Sequence, residues 1–167
     1  VQVILPQDSL LIAEVEKLGV AVIPMAELED RYLDKKAIAP LKEIFKKNRP
    51  DIVHTHASLS ARIAARRAGV GLVINTKHCM EDAPGGMLKK IARRQMNAMF
   101  SDTIIAVSEA VKESILAGGT KRSQVVTIYN GIDTIEKATD AQKMSIREKY
   151  GMACDKKTVG IVARLEA

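Results

Sequence analysis

The sequence has three histidines, and two of them stand two residues apart. His54 and His56 flank Thr55 in an extended segment, so both imidazoles project from one side of a strand, whose side chains repeat every second residue. His78 follows a second β-branched run. The spacing suits a metal pair completed by His78 or Cys79. The other possible ligands show no metal-motif spacing, which favours strand-end histidines bonded to nearby backbone; His78 could also exchange a proton with a hydroxyl.

Other polar side chains follow the predicted strands. Besides His56 and His78, they are Ser58, Thr76, Ser108, Glu109, Asn130 and the turn residue Gly131. Because the carboxyl ends of parallel strands meet at one edge of a sheet, we expect these residues to form a single rim.

A predicted helix over Met87–Phe100 gathers its charge on one side. The basic arc of its helical wheel holds Lys89, Lys90, Arg93 and Arg94. The opposite arc holds Leu88, Ile91, Ala92 and Met99. The basic arc is either an ordinary solvated face or a surface for anionic lipid or phosphate groups.

Short β-branched runs alternate with stretches of helical period, which is typical of βαβ units. The predicted strands are Val1–Leu5, Val20–Ile23, Asp51–His54, Leu72–Asn75, Thr103–Val107, Gln124–Ile128 and Thr158–Val162. Helices are predicted between them, with Pro40 in the first turn of the second helix and with Ser58 and Ser108 as N-caps. The sequence therefore predicts an α/β chain with a Rossmann-like, doubly wound parallel sheet.

Composition narrows the class of partner. The formal charge is +6, with 47% hydrophobic and 28% charged residues, which excludes a disordered chain. Aromatic residues make up 3% and tryptophan is absent, so a nucleic-acid partner is not expected. Cys79 and Cys154 form no C-x-x-C pair and are predicted to be reduced, buried thiols of a cytosolic protein.

The segment from Asp133 to Asp155 is polar and charged, and the strand predicted after it has no following helix. We therefore predict one domain over residues 1–156 and the truncated first strand of a second domain over residues 157–167.

Five segments, taken together, resemble the N-terminal half of glycosyltransferase family 4. They are Pro50-Asp51-Ile52-Val53-His54-Thr55-His56, Thr76-Lys77-His78, Ile105-Ala106-Val107-Ser108-Glu109-Ala110-Val111, Ile128-Tyr129-Asn130-Gly131-Ile132-Asp133 and Val159-Gly160-Ile161-Val162-Ala163-Arg164-Leu165. The resemblance implies a GT-B fold, whose N-terminal Rossmann-like domain binds the acceptor and whose C-terminal domain binds a nucleotide-diphosphate sugar. It also implies a retaining reaction with no cofactor and no metal in the site.

The resemblance also assigns roles. His78 matches the active-site histidine near the transferred sugar. The acceptor side would comprise His56, Ser58, Thr76, Ser108 and Glu109. The donor side would comprise Asn130, Gly131 and Arg164, and the guanidinium would neutralise the departing diphosphate.

Two features depart from the family pattern. Ala163 replaces the usual glycine before Arg164, and the sequence starts at what resembles the second strand of the family. The first βα unit and the later donor motifs are missing from it, so we expect a fragment that is inactive by itself.

The sequence thus favours part of a hexosyltransferase acting on a glycan or lipid-linked acceptor in cell-envelope polysaccharide, lipopolysaccharide or other glycoconjugate synthesis. The expected location is the cytoplasm, with peripheral contact on the inner face of the membrane. One alternative is a non-catalytic module that binds an anionic glycan, lipid or protein through Lys89–Arg94. Another is a sugar-nucleotide epimerase of the related two-domain fold.

Overall fold

The computed structural model describes residues 1–26, 32–56, 58–80, 86–153 and 155–161. Its elements are β1 (Gln2–Pro6), α1 (Leu11–Lys17), β2 (Ala21–Met25), α2 (Lys35–Asn48), β3 (Ile52–His56), α3 (Leu59–Ala68), β4 (Leu72–Lys77), α4 (Met87–Phe100), β5 (Thr103–Ala106), α5 (Glu109–Ala117), β6 (Val125–Thr127) and α6 (Asp140–Lys149). A 3₁₀ turn, Arg122–Gln124, precedes β6. In the part of the chain that is described, no helix is long and apolar enough to cross a bilayer.

The chain divides into two compact units, Val1–Asn130 and Gly131–Ala167. The domain division predicted at residue 156 stays a prediction. The first unit contains all six strands of the described residues, and every strand pair is parallel. The predicted α/β class is confirmed.

These strands form two ladders, β1-β2 and β3-β4-β5-β6. One apolar cluster joins them, because Ile4 of β1 and Met25 of β2 pack with Val53 of β3 and Val73 of β4. Helix α2 contributes the buried Leu41 to the same cluster. The two ladders therefore share a core even though β1 and β3 are not hydrogen-bonded neighbours.

Helix α2 begins earlier than its proline predicts. The Asp34 carboxylate accepts a hydrogen bond from the Lys36 backbone N–H, at 2.9 Å, and starts the helix at Lys35. Pro40 therefore lies inside the helix, and its predicted position in the first turn is wrong. The cap outweighs the lost N–H of proline because Leu41 and Phe45 bury the inner face of the helix.

The second unit contains α6. Its N-terminus is a capping box, in which Thr139 and Gln142 satisfy each other's backbone N–H groups. The strand predicted at Thr158–Val162 does not form over residues 158–161, and Val162 lies outside the described residues. Val159 and Ile161 are each 89% exposed, so no neighbouring strand or layer covers them.

A buried guanidinium on α3 links that helix to the end of α4 and to Tyr32. Arg62 of α3 is 0% exposed. It donates to the Ser58 carbonyl oxygen at 3.2 Å, to Ser101 Oγ at 3.0 Å and to the Tyr32 hydroxyl at 3.1 Å. A fourth, longer contact of 3.5 Å reaches Asn97 Oδ1 on α4. Each of these acceptors would lose a partner if Arg62 were removed.

We predict that Arg62→Leu lowers the free energy of unfolding by about 3 kcal/mol, because buried hydroxyl and carbonyl groups are left unpaired. Arg62→Lys should recover only part of the loss, because an ammonium cannot reproduce the planar fork. Urea denaturation measures both.

Arg67→Leu is the matched control on the same helix, because Arg67 is exposed. It should change the unfolding free energy by no more than about 0.5 kcal/mol. An equal loss in the two leucine variants would contradict the structural role of Arg62.

Candidate functional site

The parallel register of β3 and β4 brings the three histidines together. His56 stands opposite Thr76, and His78 directly follows the end of β4. Alternation along β3 buries Val53 and Thr55 and leaves His54 and His56 exposed. The three imidazoles therefore gather on one face of the sheet at its carboxyl edge, as the sequence predicts.

The three rings stack in a row. The ring centroids of His54 and His56 are 4.9 Å apart, and those of His56 and His78 are 5.1 Å apart. Nδ1 of His56 lies 2.8 Å from Nε2 of His78, which is a hydrogen bond. Nε2 of His54 lies 2.7 Å from Oγ1 of Thr76. The row is thus anchored at one end by a threonine of β4 and ends at His78.

The bond between His56 and His78 restricts protonation. One of its two nitrogens carries the hydrogen and the other must keep a lone pair. Only one of the two rings can therefore be cationic while the bond persists. With its Nε2 engaged, His78 has Nδ1 left, and Nδ1 makes no hydrogen bond to any described residue. Of the two ring nitrogens of His78, Nδ1 is therefore the one available to a ligand.

The row also shifts the pKa of its middle member. Partial burial lowers the pKa of His56 from its ordinary value of 6.5, and the charges that His54 and His78 carry when protonated lower it further. His56 therefore stays neutral to a lower pH than an isolated histidine does.

Hydrogen bonds within the row engage three of its six ring nitrogens, one with Thr76 and two with each other. Within the described ranges, no group of three or more His, Cys, Asp or Glu residues is placed to hold a metal ion. Hydrogen bonds organise the histidine row, and a metal-free reaction stays a prediction.

The residues around the row are mostly supports. Thr76 is buried, and its hydroxyl is the partner of His54. Lys77, also buried, places Nζ 5.1 Å from the centroid of the Tyr32 ring. Cζ of the Arg62 guanidinium lies 5.7 Å from the centroid of the same ring. These contacts of Tyr32 could not be predicted from the sequence, because no local spacing signals them.

Two predicted acceptor-side serines are helix caps. Ser58 Oγ accepts from the Ala61 N–H, and Ser108 Oγ accepts from the Val111 N–H, each at 3.2 Å. The predicted caps are confirmed, whereas acceptor binding stays a prediction for both serines. Glu109 is exposed beside Ser108. The hydroxyl of Thr127 and then the cations of Lys112 and Arg122 lower its pKa, so the carboxylate is ionised.

The predicted donor side is only partly described. Asn130 and Gly131 are exposed and lie outside helices and strands. Arg164 lies outside the described residues, as does Cys154. Cys79 is a free thiol, but it is exposed, so its predicted burial is wrong. It follows the exposed His78 beyond the end of β4.

Comparison with known families gives a match over most of the chain. The profile described as Glycosyltransferase Family 4 matches residues 1–136. A curated relative is the Escherichia coli UDP-Gal:alpha-D-GlcNAc-diphosphoundecaprenol alpha-1,3-galactosyltransferase, 48% identical over 130 residues. The match covers 70% of this chain and 32% of the relative. The chain thus spans about a third of the length of that enzyme.

Solved structures share the fold. Anabaena HepE in complex with UDP and glucose superimposes with a TM-score of 0.67 at 18% identity, over 90% of this chain and 42% of HepE. A glycosyltransferase from Rickettsia africae has a TM-score of 0.67 at 22% identity, over 92% of this chain and 42% of its own. These likenesses confirm a Rossmann-like half of a GT-B fold.

The lowered pKa of His56 predicts a pH dependence of stability. The unfolded chain binds more protons than the native chain between pH 6.5 and the native pKa of His56. This contribution to stability is therefore fully present above pH 6.5 and is lost as the pH falls through the native pKa. Urea midpoints measured from about pH 8 to about pH 5 should fall on acidification.

His56→Gln should flatten this slope, because it removes the titrating ring. In an NMR titration, His54→Ala should raise the pKa of His56, since one neighbouring charge and part of the shielding disappear. A His56 pKa above 6.5 in the unsubstituted protein would contradict the arrangement.

Proposed function

The chain belongs to glycosyltransferase family 4, and on that premise we propose that it forms the acceptor side of an enzyme that transfers a sugar from a nucleotide-diphosphate sugar to a lipid-linked acceptor. The acceptor class is supported by the 48% identical relative, whose name specifies a GlcNAc-diphosphoundecaprenol acceptor. The donor class is supported by the same name, which specifies UDP-Gal, and by HepE, solved with UDP and glucose.

The hydrogen bond between His56 and His78 is the observation that carries the proposal. It leaves Nδ1 of His78 as a hydrogen-bonding atom at the open carboxyl edge of the sheet. In this proposal, His78 contacts a hydroxyl of the transferred sugar or acceptor through that atom. His56 is a positioning residue, because it fixes the tautomer and the ring plane of His78.

The nucleotide-diphosphate sugar is a co-substrate. We assign the donor side to Asn130, Gly131 and Arg164, and the remaining acceptor contacts to Ser58, Thr76, Ser108 and Glu109. A guanidinium at Arg164 would offset the charge that develops on the leaving diphosphate. We propose a retaining, metal-independent transfer of a hexose.

The proposed setting is synthesis of cell-envelope polysaccharide, lipopolysaccharide or a related glycoconjugate. A lipid-linked acceptor keeps its hydrocarbon chain in the membrane and its sugar in water. An enzyme that uses such an acceptor from the cytoplasm meets it at the inner face of the membrane, so we propose a cytoplasmic, peripheral location.

Saturation-transfer NMR on this chain tests the proposal. The probes are GlcNAc-diphosphate carrying a short prenyl tail and, separately, UDP-galactose. We expect transfer to the GlcNAc protons and weak transfer to the nucleotide. His78→Ala should weaken acceptor binding by about 10-fold, which corresponds to the loss of one hydrogen bond.

Lys47→Ala is the control, since Lys47 is exposed at the end of α2 that leads to the amino end of β3. It should leave acceptor binding unchanged. Strong nucleotide contact would contradict the acceptor-side assignment. Acceptor binding that is lost on charge reversal at Lys89 and Arg94 but kept in His78→Ala would favour the non-catalytic module.

A further inference from the structure

Contacts on the inner side of helix α4 fix its rotation about its own axis. Asn97 is 1% exposed, donates to Thr120 Oγ1 at 2.9 Å and accepts from Arg62. The side chain of Lys90 lies so close to Gly119 that a Cβ there would be 2.9 Å from Lys90 Cγ. Gly119 also has a φ of +96°, which favours glycine. These contacts fix which arc of α4 faces solvent.

The solvent-facing arc is apolar. The exposed fractions are 72% for Met87, 83% for Leu88, 48% for Ile91 and 61% for Met99. A surface helix of a globular protein ordinarily turns its apolar stripe to the core. Helix α2 does so, with Leu41 and Phe45 buried. Helix α4 differs, since it buries an asparagine and exposes four of its six large apolar side chains, while Met96 and Phe100 are half-buried.

The charge of α4 has one sign. The helix contains four basic residues and no Asp or Glu. Lys89, Lys90 and Arg94 are exposed beside the apolar arc. Helix α6 also exposes large apolar side chains, Met144 and Ile146, but it carries both Asp140 and Glu148. An apolar stripe flanked only by cations matches a surface that is apolar inside and anionic at its edge.

We propose that the outer face of α4, formed by Met87, Leu88, Ile91 and Met99 with Lys89 and Arg94, docks on a bilayer that carries anionic headgroups. The apolar side chains enter the headgroup and acyl boundary, and the cations contact the phosphates. The choice of a lipid partner rests on the proposed function, whereas the orientation of α4 does not.

The position of α4 suits an acceptor held in a membrane. Met87 follows His78 by nine positions, so their Cα atoms are no more than about 30 Å apart. An acceptor whose lipid tail is in the bilayer beneath α4 would thus have to span no more than about 30 Å from the start of α4 to His78.

Vesicle co-sedimentation of the 167-residue chain tests the docking face without donor or acceptor. The vesicles contain phosphatidylglycerol in phosphatidylcholine, or phosphatidylcholine alone. We expect binding to the anionic vesicles that weakens with added salt. Leu88→Glu/Ile91→Glu should lower the partition coefficient by about 10-fold or more, and Lys89→Gln/Arg94→Gln should lower it and reduce the salt dependence.

Met144→Glu/Ile146→Glu on α6 is the matched control, because it makes the same two kinds of change on another exposed helix. It should bind like the unsubstituted chain. Circular dichroism establishes that each variant is folded, which is expected because all four substituted apolar side chains are exposed.

Absence of binding to anionic vesicles by the unsubstituted, folded chain would overturn the proposal. An equal loss in the α4 and α6 variants would overturn it as well. Concentration-dependent dimers in sedimentation velocity that only Leu88→Glu/Ile91→Glu abolishes, without vesicle binding, would assign the face to a second copy. None of these outcomes depends on sugar transfer, so the acceptor-binding experiment remains an independent test of the proposed function.

Discussion

The buried guanidinium of Arg62 is the constraint on which the rest of the first unit depends. A fully buried cation is costly unless its donors are matched, and its partners come from three segments: the start of α3, the end of α4 and the chain at Tyr32. The hydrogen bonds of the guanidinium hold α3 against Asn97 and Ser101. Tyr32, another of its partners, has its ring centroid 5.1 Å from Nζ of Lys77. Hydrogen bonds of one side chain thus connect α3 to the end of α4, and the Tyr32 ring contacts both that guanidinium and Lys77 at the end of β4.

In the histidine row, the register of two parallel strands decides which side chains meet. Neighbouring strands hold His56 opposite Thr76, and the residue after β4 falls within hydrogen-bond distance of the same ring. Because two imidazoles share one hydrogen, the pair resists taking up a second charge. An oriented imidazole at a sheet edge suits recognition of hydroxyl groups, and these are what sugars present.

Much of this arrangement could be predicted from local pattern. The order of strands and helices up to α6 follows from periodicity, and Ser58 and Ser108 cap the helices that their positions predict. Local rules failed where a competing interaction outweighed them. The Asp34 cap starts α2 at Lys35, five residues before Pro40. Residues 158–161 form no strand, although their sequence pattern predicts one. The donor-side assignments rest on resemblance because a sheet edge alone does not identify a diphosphate site.

By itself, the sequence determined the α/β class, the parallel strands, the gathering of polar residues at one edge and the family. Each of these follows from short-range periodicity or from motifs read in order. Tertiary structure alone decided that His56 bonds His78, that Arg62 is buried among neutral acceptors and that α4 turns its apolar arc outward. Those outcomes depend on which distant groups meet. A helical wheel gives the two arcs of α4, but the hydrogen bonds of Asn97 to Arg62 and Thr120 determine which arc faces water.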